Sequence, residues 1–363
     1  MVYRYSVDYP IMEKPLNPHF FSGFVQSDGC FHVGLEKDST AKHKIRIKPT
    51  FYVTQLNSKD KKISPVLRMA RNLLQVGHYI PDRKKKCSSL RVNTLKDLNN
   101  NVLPHFEEHP LLSEKKKDYL VFKEIVEKMN KKLYNTIKGF CDIYNLALSM
   151  NNNGGYRKKY KYCAAHNPLF DTLKGCTQKS QIVPSTIMDV RDDKNKKHTS
   201  LPFPLFESLN DQFVSGFIQG DASFGFSFRI RRDRTNKNFL SKAKISPFFS
   251  LGQDCSSVDL LEGCQRFFQC GKIFKVSDNY YRWIVSDYSS LKNSILDHLL
   301  SFPLLDVKGK QFLVFTECLH ILSSKEICEK QKHKRVVECA YNLNMDGKRR
   351  RRTKEEYLRA IAS

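Results

Sequence analysis

The feature that most constrains this chain is an internal repeat. Phe20-Phe21-Ser22-Gly23-Phe24-Val25-Gln26-Ser27-Asp28 is answered by Phe213-Val214-Ser215-Gly216-Phe217-Ile218-Gln219-Gly220-Asp221, an offset of 193 residues. The same offset carries Pro110-Leu111-Leu112 onto Pro303-Leu304-Leu305, Tyr119-Leu120-Val121-Phe122 onto Phe312-Leu313-Val314-Phe315, and Gly154 onto Gly347. Between these anchors the register drifts: Phe51 to Gln55 answers Phe249 to Gln253, and Gly77 answers Gly271. Loops of unequal length produce such drift. With 363 residues the chain can hold two copies of one unit, each with its own core. The expected division is 1–160 for the first unit, 161–210 for a connector and 211–363 for the second. The connector carries Pro184, Pro202 and Pro204 and the charged run Arg191 to Lys197, the composition of a surface linker.

Each unit reads as a helix, two strands, a helix, two strands and closing helices. Ser64 to Gln75 and Ser257 to Gln269 have helical spacing. Strand alternation puts Lys44, Arg46 and Lys48 on one face, with Ile45 and Ile47 on the other. In the second unit Arg229 and Arg231 oppose Phe228 and Ile230, and Lys242 and Lys244 form a further basic row. Arg91 and Arg282 fall in the later hairpins. The expected fold class is therefore α+β, a pseudo-two-fold pair of αββαββα units. Each has an antiparallel sheet, helices on its apolar face and an open basic face; together the sheets make a saddle.

Charge fits that surface. The chain has 62 Lys and Arg against 37 Asp and Glu, a net charge of +25, which calls for a polyanionic partner: nucleic acid or an anionic membrane surface. No apolar run of membrane-spanning length occurs, and Met1 to Glu13 has no secretory h-region. The cysteines form no C-x2-C pair. Cys163, His166 and Cys176 are the nearest approach to a zinc cluster, whereas Cys30, Cys141, Cys255, Cys264, Cys270 and Cys318 read as reduced residues among apolar neighbours. The run Lys348 to Arg352 answers Arg157-Lys158-Lys159 and suits phosphate-backbone contact better than nuclear targeting.

The opening helix of each unit carries the chemistry. Gly23 and Ser27, and Gly216 and Gly220, are spaced four apart on one helical face, which lets two backbones approach closely. Each helix ends at an acid, Asp28 or Asp221. Two helices paired through those faces bring the two carboxylates together, where they repel unless a cation lies between them. Oxygen ligands and helix C-termini favour Mg²⁺ over zinc.

The segments Phe21–Gly29 and Val214–Ala222 resemble the two signature motifs of LAGLIDADG homing endonucleases, and the chain resembles the single-chain, two-motif members. The departures are Gln26 and Gln219 at a position often acidic, and Ala222 in place of Gly. The resemblance implies a monomeric, site-specific double-strand DNA endonuclease of intron homing. It would hydrolyse one phosphodiester in each strand with Mg²⁺ or Mn²⁺ and leave short 3′ overhangs. Asp28 and Asp221, with the carbonyls of Ser27 and Gly220, would hold metal. Gln55 and Gln253 would place water, and Lys115 and Lys308 would face the phosphate. Lys117 and Lys310 are neighbours able to share that task, and Lys59 is a further candidate. The expected partner is a long double-stranded DNA site, and the expected origin an organellar genome, mitochondrion before chloroplast. The competing reading is a maturase that binds intron RNA to assist group I splicing; retention of both acids favours the nuclease.

Overall fold

The computed structural model describes residues 15–57, 63–82, 84, 86–150, 209–232, 240–343 and 353–362. Lys59, the Cys163–His166–Cys176 group, most of the connector and both basic clusters lie outside them.

The first unit opens with α1 (Pro18–Asp28), which runs directly into β1 (Gly29–Lys37), β2 (Ile45–Leu56), α2 (Pro65–Leu74), β3 (His78–Asp82) and β4 (Cys87–Val92). A helical stretch over 95–108 follows, then α3 (Ser113–Asn130) and α4 (Ile137–Ser149). The second unit repeats the order with α5 (Asp211–Asp221), β5 (Ser223–Arg232), β6 (Leu240–Asp254), α6 (Val258–Phe268), β7 (Lys272–Ser277) and β8 (Tyr280–Val285). A helical stretch over 288–301, α7 (Asp306–Ser323), α8 (Glu329–Leu343) and α9 (Lys354–Ala362) complete it. Both sheets are antiparallel with matching orders, β1-β2-β4-β3 and β5-β6-β8-β7. The expected αββαββα units are present, each extended by the extra stretch after its fourth strand and by helices beyond α3 and α7. No helix among the described residues is long and apolar enough to cross a membrane.

Alternation decides which face of each sheet is covered. Phe31, Val33, Phe51, Val53, Leu90 and Val92 are buried toward the helices, as are Phe224, Phe249, Leu251, Trp283 and Val285. Burying a side chain of this size contributes about 1.5–3 kcal/mol. Lys44 departs from the expected row. It precedes β2 with a left-handed backbone (φ 55°), and its Nζ donates to the Ser39 carbonyl at 2.7 Å. A residue closing the β1–β2 loop cannot share the pleat of the strand that follows.

The units meet through α1 and α5. Asn17 and Asn210 cap them alike, each side-chain oxygen accepting two backbone N–H groups. Such a cap is worth about 1 kcal/mol. Along the crossing, Gly23 faces the Phe213 carbonyl and Gly216 faces the Phe20 carbonyl. A Cβ on either would overlap that oxygen and stand 2.8 Å from the amide nitrogen of Phe217 or Phe24. The contact is backbone against backbone, so no rotamer can relieve it. Beside it, Ser22 Oγ donates to the His109 carbonyl and Ser215 Oγ to the Phe302 carbonyl, both at 2.8 Å. The obstruction generates a prediction. Gly23→Ala or Gly216→Ala should lower the unfolding free energy by about 1–3 kcal/mol, the usual cost of overpacking. Urea unfolding measures it; an unchanged midpoint would show that the helices cross with room to spare.

Candidate functional site

Both helices stop at their acid because the chain turns into a strand there. The Gly29 N–H bonds the Val25 carbonyl, and the Ala222 N–H bonds the Ile218 carbonyl, each as the closing bond of its helix. The Ser27 and Gly220 carbonyls, in the last turn, therefore have no intrahelical donor ahead of them. The Asp28 carboxylate is close to the other helix: its Oδ2 lies 3.1 Å from where a Cβ on Gly220 would stand. Ser27 Oγ fills the space that Gly220 leaves open, so the two small residues at this crossing are not interchangeable.

Burial raises the Asp28 carboxyl to about 6, against the pull of Lys308 and Lys115. Burial, then repulsion from Asp28, raises Asp221 to about 7. Lys115 Nζ donates to the Gly29 carbonyl at 2.5 Å, and Lys308 Nζ donates to the Ala222 carbonyl at 2.6 Å. Each lysine is thus fixed on the residue after an acid. Burial holds the Lys308 ammonium below the usual lysine value, although both aspartates oppose that. Lys117 and Lys310 are exposed, and Lys117 pairs with Glu114 at 2.5 Å. These two lysines turn away from the acids because the helix advances about 100° per residue.

Gln55 and Gln253 stand one residue before the ends of their strands, on the helix-side face, in line with Phe51 and Val53 and with Phe249 and Leu251. Gln253 Nε2 donates to Asp221 Oδ2. Gln55 instead accepts from the following Leu56 amide at 2.9 Å. The matched glutamines therefore make different contacts.

Among the described residues no group of three His, Cys, Asp or Glu side chains could hold a metal. A cation at the helix ends would have two carboxylates and helix-end carbonyls, an all-oxygen set that suits Mg²⁺, Mn²⁺ or Ca²⁺.

On the open sheet faces, Arg91 lies over the Tyr52 ring at 5.6 Å and Arg282 over the Tyr280 ring at 5.9 Å. Arg46 is paired with Asp38, and Lys48 with Glu36 at 2.5 Å. The second unit inverts this. Glu36 stands across from Arg46, whereas Arg229, its repeat counterpart, stands across from Lys244. Like charges opposed across a ladder are unfavourable until an anion reaches them. The side chains of Arg231 and Lys242 lie outside the described residues.

Sequence reasoning missed several contacts. Gln26 and Gln219 accept the Leu112 and Leu305 amides, and His105 and His298 approach Ser22 and Ser215 at 3.2 and 3.1 Å. The offset of 193 links both members of each pair, so the repeat itself marked them.

The fold and these helix ends define a class: one chain, two sheet-and-helix units, paired helices delivering two acids and two lysines to their crossing. A family model described as LAGLIDADG endonuclease matches residues 21–126 and again 214–319. The chain belongs to the LAGLIDADG endonuclease family. It is 24% identical over 329 residues to the probable intron-encoded endonuclease 2 of Neurospora crassa, covering 90% of this chain and 65% of that protein's length. A Podospora anserina protein in ND4 intron 1 is 31% identical over 111 residues, 31% of this chain and 24% of that one. The crystal structure of the I-SmaMI LAGLIDADG homing endonuclease bound to cleaved DNA aligns with a TM-score of 0.70 and 20% identity, over 92% of this chain and 98% of that one. I-SmaMI has also been seen on uncleaved DNA in the presence of calcium ions.

The raised carboxyls imply a pH dependence in metal-free buffer. The folded protein holds these protons more tightly than the unfolded chain does. Their contribution to stability is therefore complete below the ordinary value of 3.8 and is lost as pH rises through 6 and 7. The Asp28→Asn/Asp221→Asn variant should lose less melting temperature than wild type between about pH 5 and 8. Parallel melting curves for the two proteins would mean that the carboxyls are ordinary surface acids.

Proposed function

We propose that the chain is a site-specific double-strand DNA endonuclease of intron homing, active as a monomer of two units, 1–160 and 211–363, joined by the 161–210 connector. The observation that carries this reading is the pair of helix-end acids, each with a lysine fixed beside it at the same repeat position. A regulator that only binds DNA has no use for two partly buried carboxylates under a cationic surface, because they oppose the phosphates it must approach.

In this reading Asp28 and Asp221, with the Ser27 and Gly220 carbonyls, hold divalent metal, Mg²⁺ or Mn²⁺. A divalent ion held there would supply Lewis acidity, making an attacking water more acidic and offsetting charge on the leaving 3′ oxygen. The chain's own part is positional. Lys115 and Lys308 present ammonium groups where phosphorane charge develops, one for each strand. Gln253, already bonded to Asp221, and Gln55 orient water at the two phosphates. Hydrolysis of one bond per strand leaves short 3′ overhangs.

Affinity comes from the open faces. Arg46, Lys48, Arg91, Arg229, Lys244 and Arg282 would meet phosphates and base edges of a long duplex, with Lys44 at the rim and Arg231 and Lys242 further along β5 and β6. A relative placed in an ND4 intron, a mitochondrial setting, supports an organelle-encoded origin.

Asp28→Asn or Asp221→Asn should abolish double-strand cutting of a selected duplex in Mg²⁺ while gel-shift affinity in Ca²⁺ survives; full cleavage by either variant would remove the metal site. Lys115→Ala should slow single-turnover cleavage by roughly 100-fold, the range for loss of one charge-stabilising donor. The salt dependence of binding separates the two faces. Arg229→Ala should reduce the slope of log affinity on log salt by about one, and the ion-paired Arg46 by less. Equal slopes for both variants would reject the distinction.

A further inference from the structure

We propose that two cross-unit hydrogen bonds, Ser64 to Asp306 and Ser113 to Asp259, are positioning latches that hold the starts of α7 and α3, and thereby Lys308 and Lys115, at the acid pair. The inference rests on the nuclease reading and deepens it.

The starting point is the backbone. α3 begins at Ser113 and α7 at Asp306, matched positions of the repeat. Both are non-glycine residues in the left-handed region, each with φ 51°. Such a conformation persists only where the surroundings impose it. Two residues further on, Lys115 and Lys308 leave the first turn toward Gly29 and Ala222. The link is short, so a displacement at 113 or 306 moves the backbone that carries each lysine.

Three contacts fix each start. On the near side, Gln26 Oε1 accepts from the Leu112 amide at 2.9 Å. Gln219 Oε1 accepts from the Leu305 amide at 2.8 Å, and its Nε2 donates to the Leu305 carbonyl at 3.2 Å. The glutamines at the departing motif position thus clamp the residue before each left-handed one. The leucine side chains cross over: Leu305 packs on the core of the first unit and Leu112 on the core of the second. The third contact is the latch. Ser64 Oγ donates to Asp306 Oδ2 at 2.7 Å with both residues buried, and Ser113 Oγ donates to Asp259 Oδ1 at 2.7 Å.

Two details separate the latches from ordinary interface bonds. Ser64 occupies the N-cap of α2, where a serine hydroxyl ordinarily accepts a backbone N–H. It makes no capping bond, and its hydroxyl goes to the other unit instead. In addition, both donors lie in the first unit and both acids in the second, so the acid changes place relative to the lysine-bearing helix. The acid sits on the lysine-bearing helix in one latch and on the facing α6 in the other. The repeat matches Ser113 with Asp306, whereas the facing residues Ser64 and Asp259 are two positions out of register. Each unit grips the lysine helix of its partner, so the seating of one unit on the other bears on where each lysine helix starts.

The experiment uses a plasmid carrying a duplex selected by wild-type cleavage, cut in Mg²⁺ under single-turnover conditions, with nicked and linear products followed separately. Asp306→Ala should slow one strand by roughly 10- to 100-fold, the cost of a misplacement near 1 Å, so that nicked circle accumulates. Ser113→Ala should slow the opposite strand, and affinity in Ca²⁺ should stay at the wild-type value for both. Asp306→Asn keeps an oxygen for Ser64 and tolerates the left-handed backbone, so it should restore the rate. Ser64→Ala, which leaves Asp306 in place, should reproduce the nick even if Asp306→Ala fails to fold. Wild-type rates on both strands for Asp306→Ala or Ser64→Ala, or rate losses that only follow affinity, would overturn the latch. A wild-type protein that cuts no duplex in Mg²⁺ or Mn²⁺ would overturn the nuclease reading and the latch together.

Discussion

The contact of two helix backbones at Gly23 and Gly216 is the constraint from which the rest follows. With no side chain between them, the Phe20 and Phe213 carbonyls approach the opposite helix directly. The ends of α1 and α5 are then drawn together, and the acids that terminate them share one small space. Their carboxyls rise because each is partly buried and because Asp28 bears on Asp221. The lysines and glutamines around them are arranged by the same axis. A chain with one copy of this helix would carry an unremarkable acid at a helix end. Two copies, packed this closely, make a site.

Much of this was legible in the sequence, and the reason is the repeat. A period-2 pattern in a single strand is weak, but the same pattern in two copies fixes face and order. Hence the strands and the motif helices agree with expectation, and Lys115, Lys308 and Gln253 lie beside the acids or the residues that follow them. The misreadings share a physical origin. Counting alternation puts Lys44 on a strand face, whereas the left-handed turn at that residue breaks the count. The sequence pattern calls for closing helices but does not locate the stretches over 95–108 and 288–301, since each contains a π turn, Leu98–Val102 and Leu291–Leu296, that disturbs the 3.6-residue spacing. Ser64, Ser113, Asp259 and Asp306 were invisible because their bonds join residues far apart in the chain, and no local pattern encodes such a partner.

The two units are alike in backbone and unlike in charge. Unit one neutralises Arg46 and Lys48 internally with Asp38 and Glu36, while unit two sets Arg229 against Lys244. Gln253 bonds its acid and Gln55 bonds its own strand; Ser27 fills space that Gly220 leaves. A single chain permits such divergence, which a symmetric dimer of identical units does not. Differences of this kind are what a non-palindromic duplex, read by two halves, would require.

The most direct test of the shared-cation account is anomalous diffraction at the manganese edge from the protein bound to its selected duplex. The account predicts manganese between the Asp28 and Asp221 carboxylates, with oxygens of both at about 2.0–2.6 Å, the range for hard divalent cations. Manganese bound elsewhere, or two carboxylates turned apart with no ion between them, would contradict it.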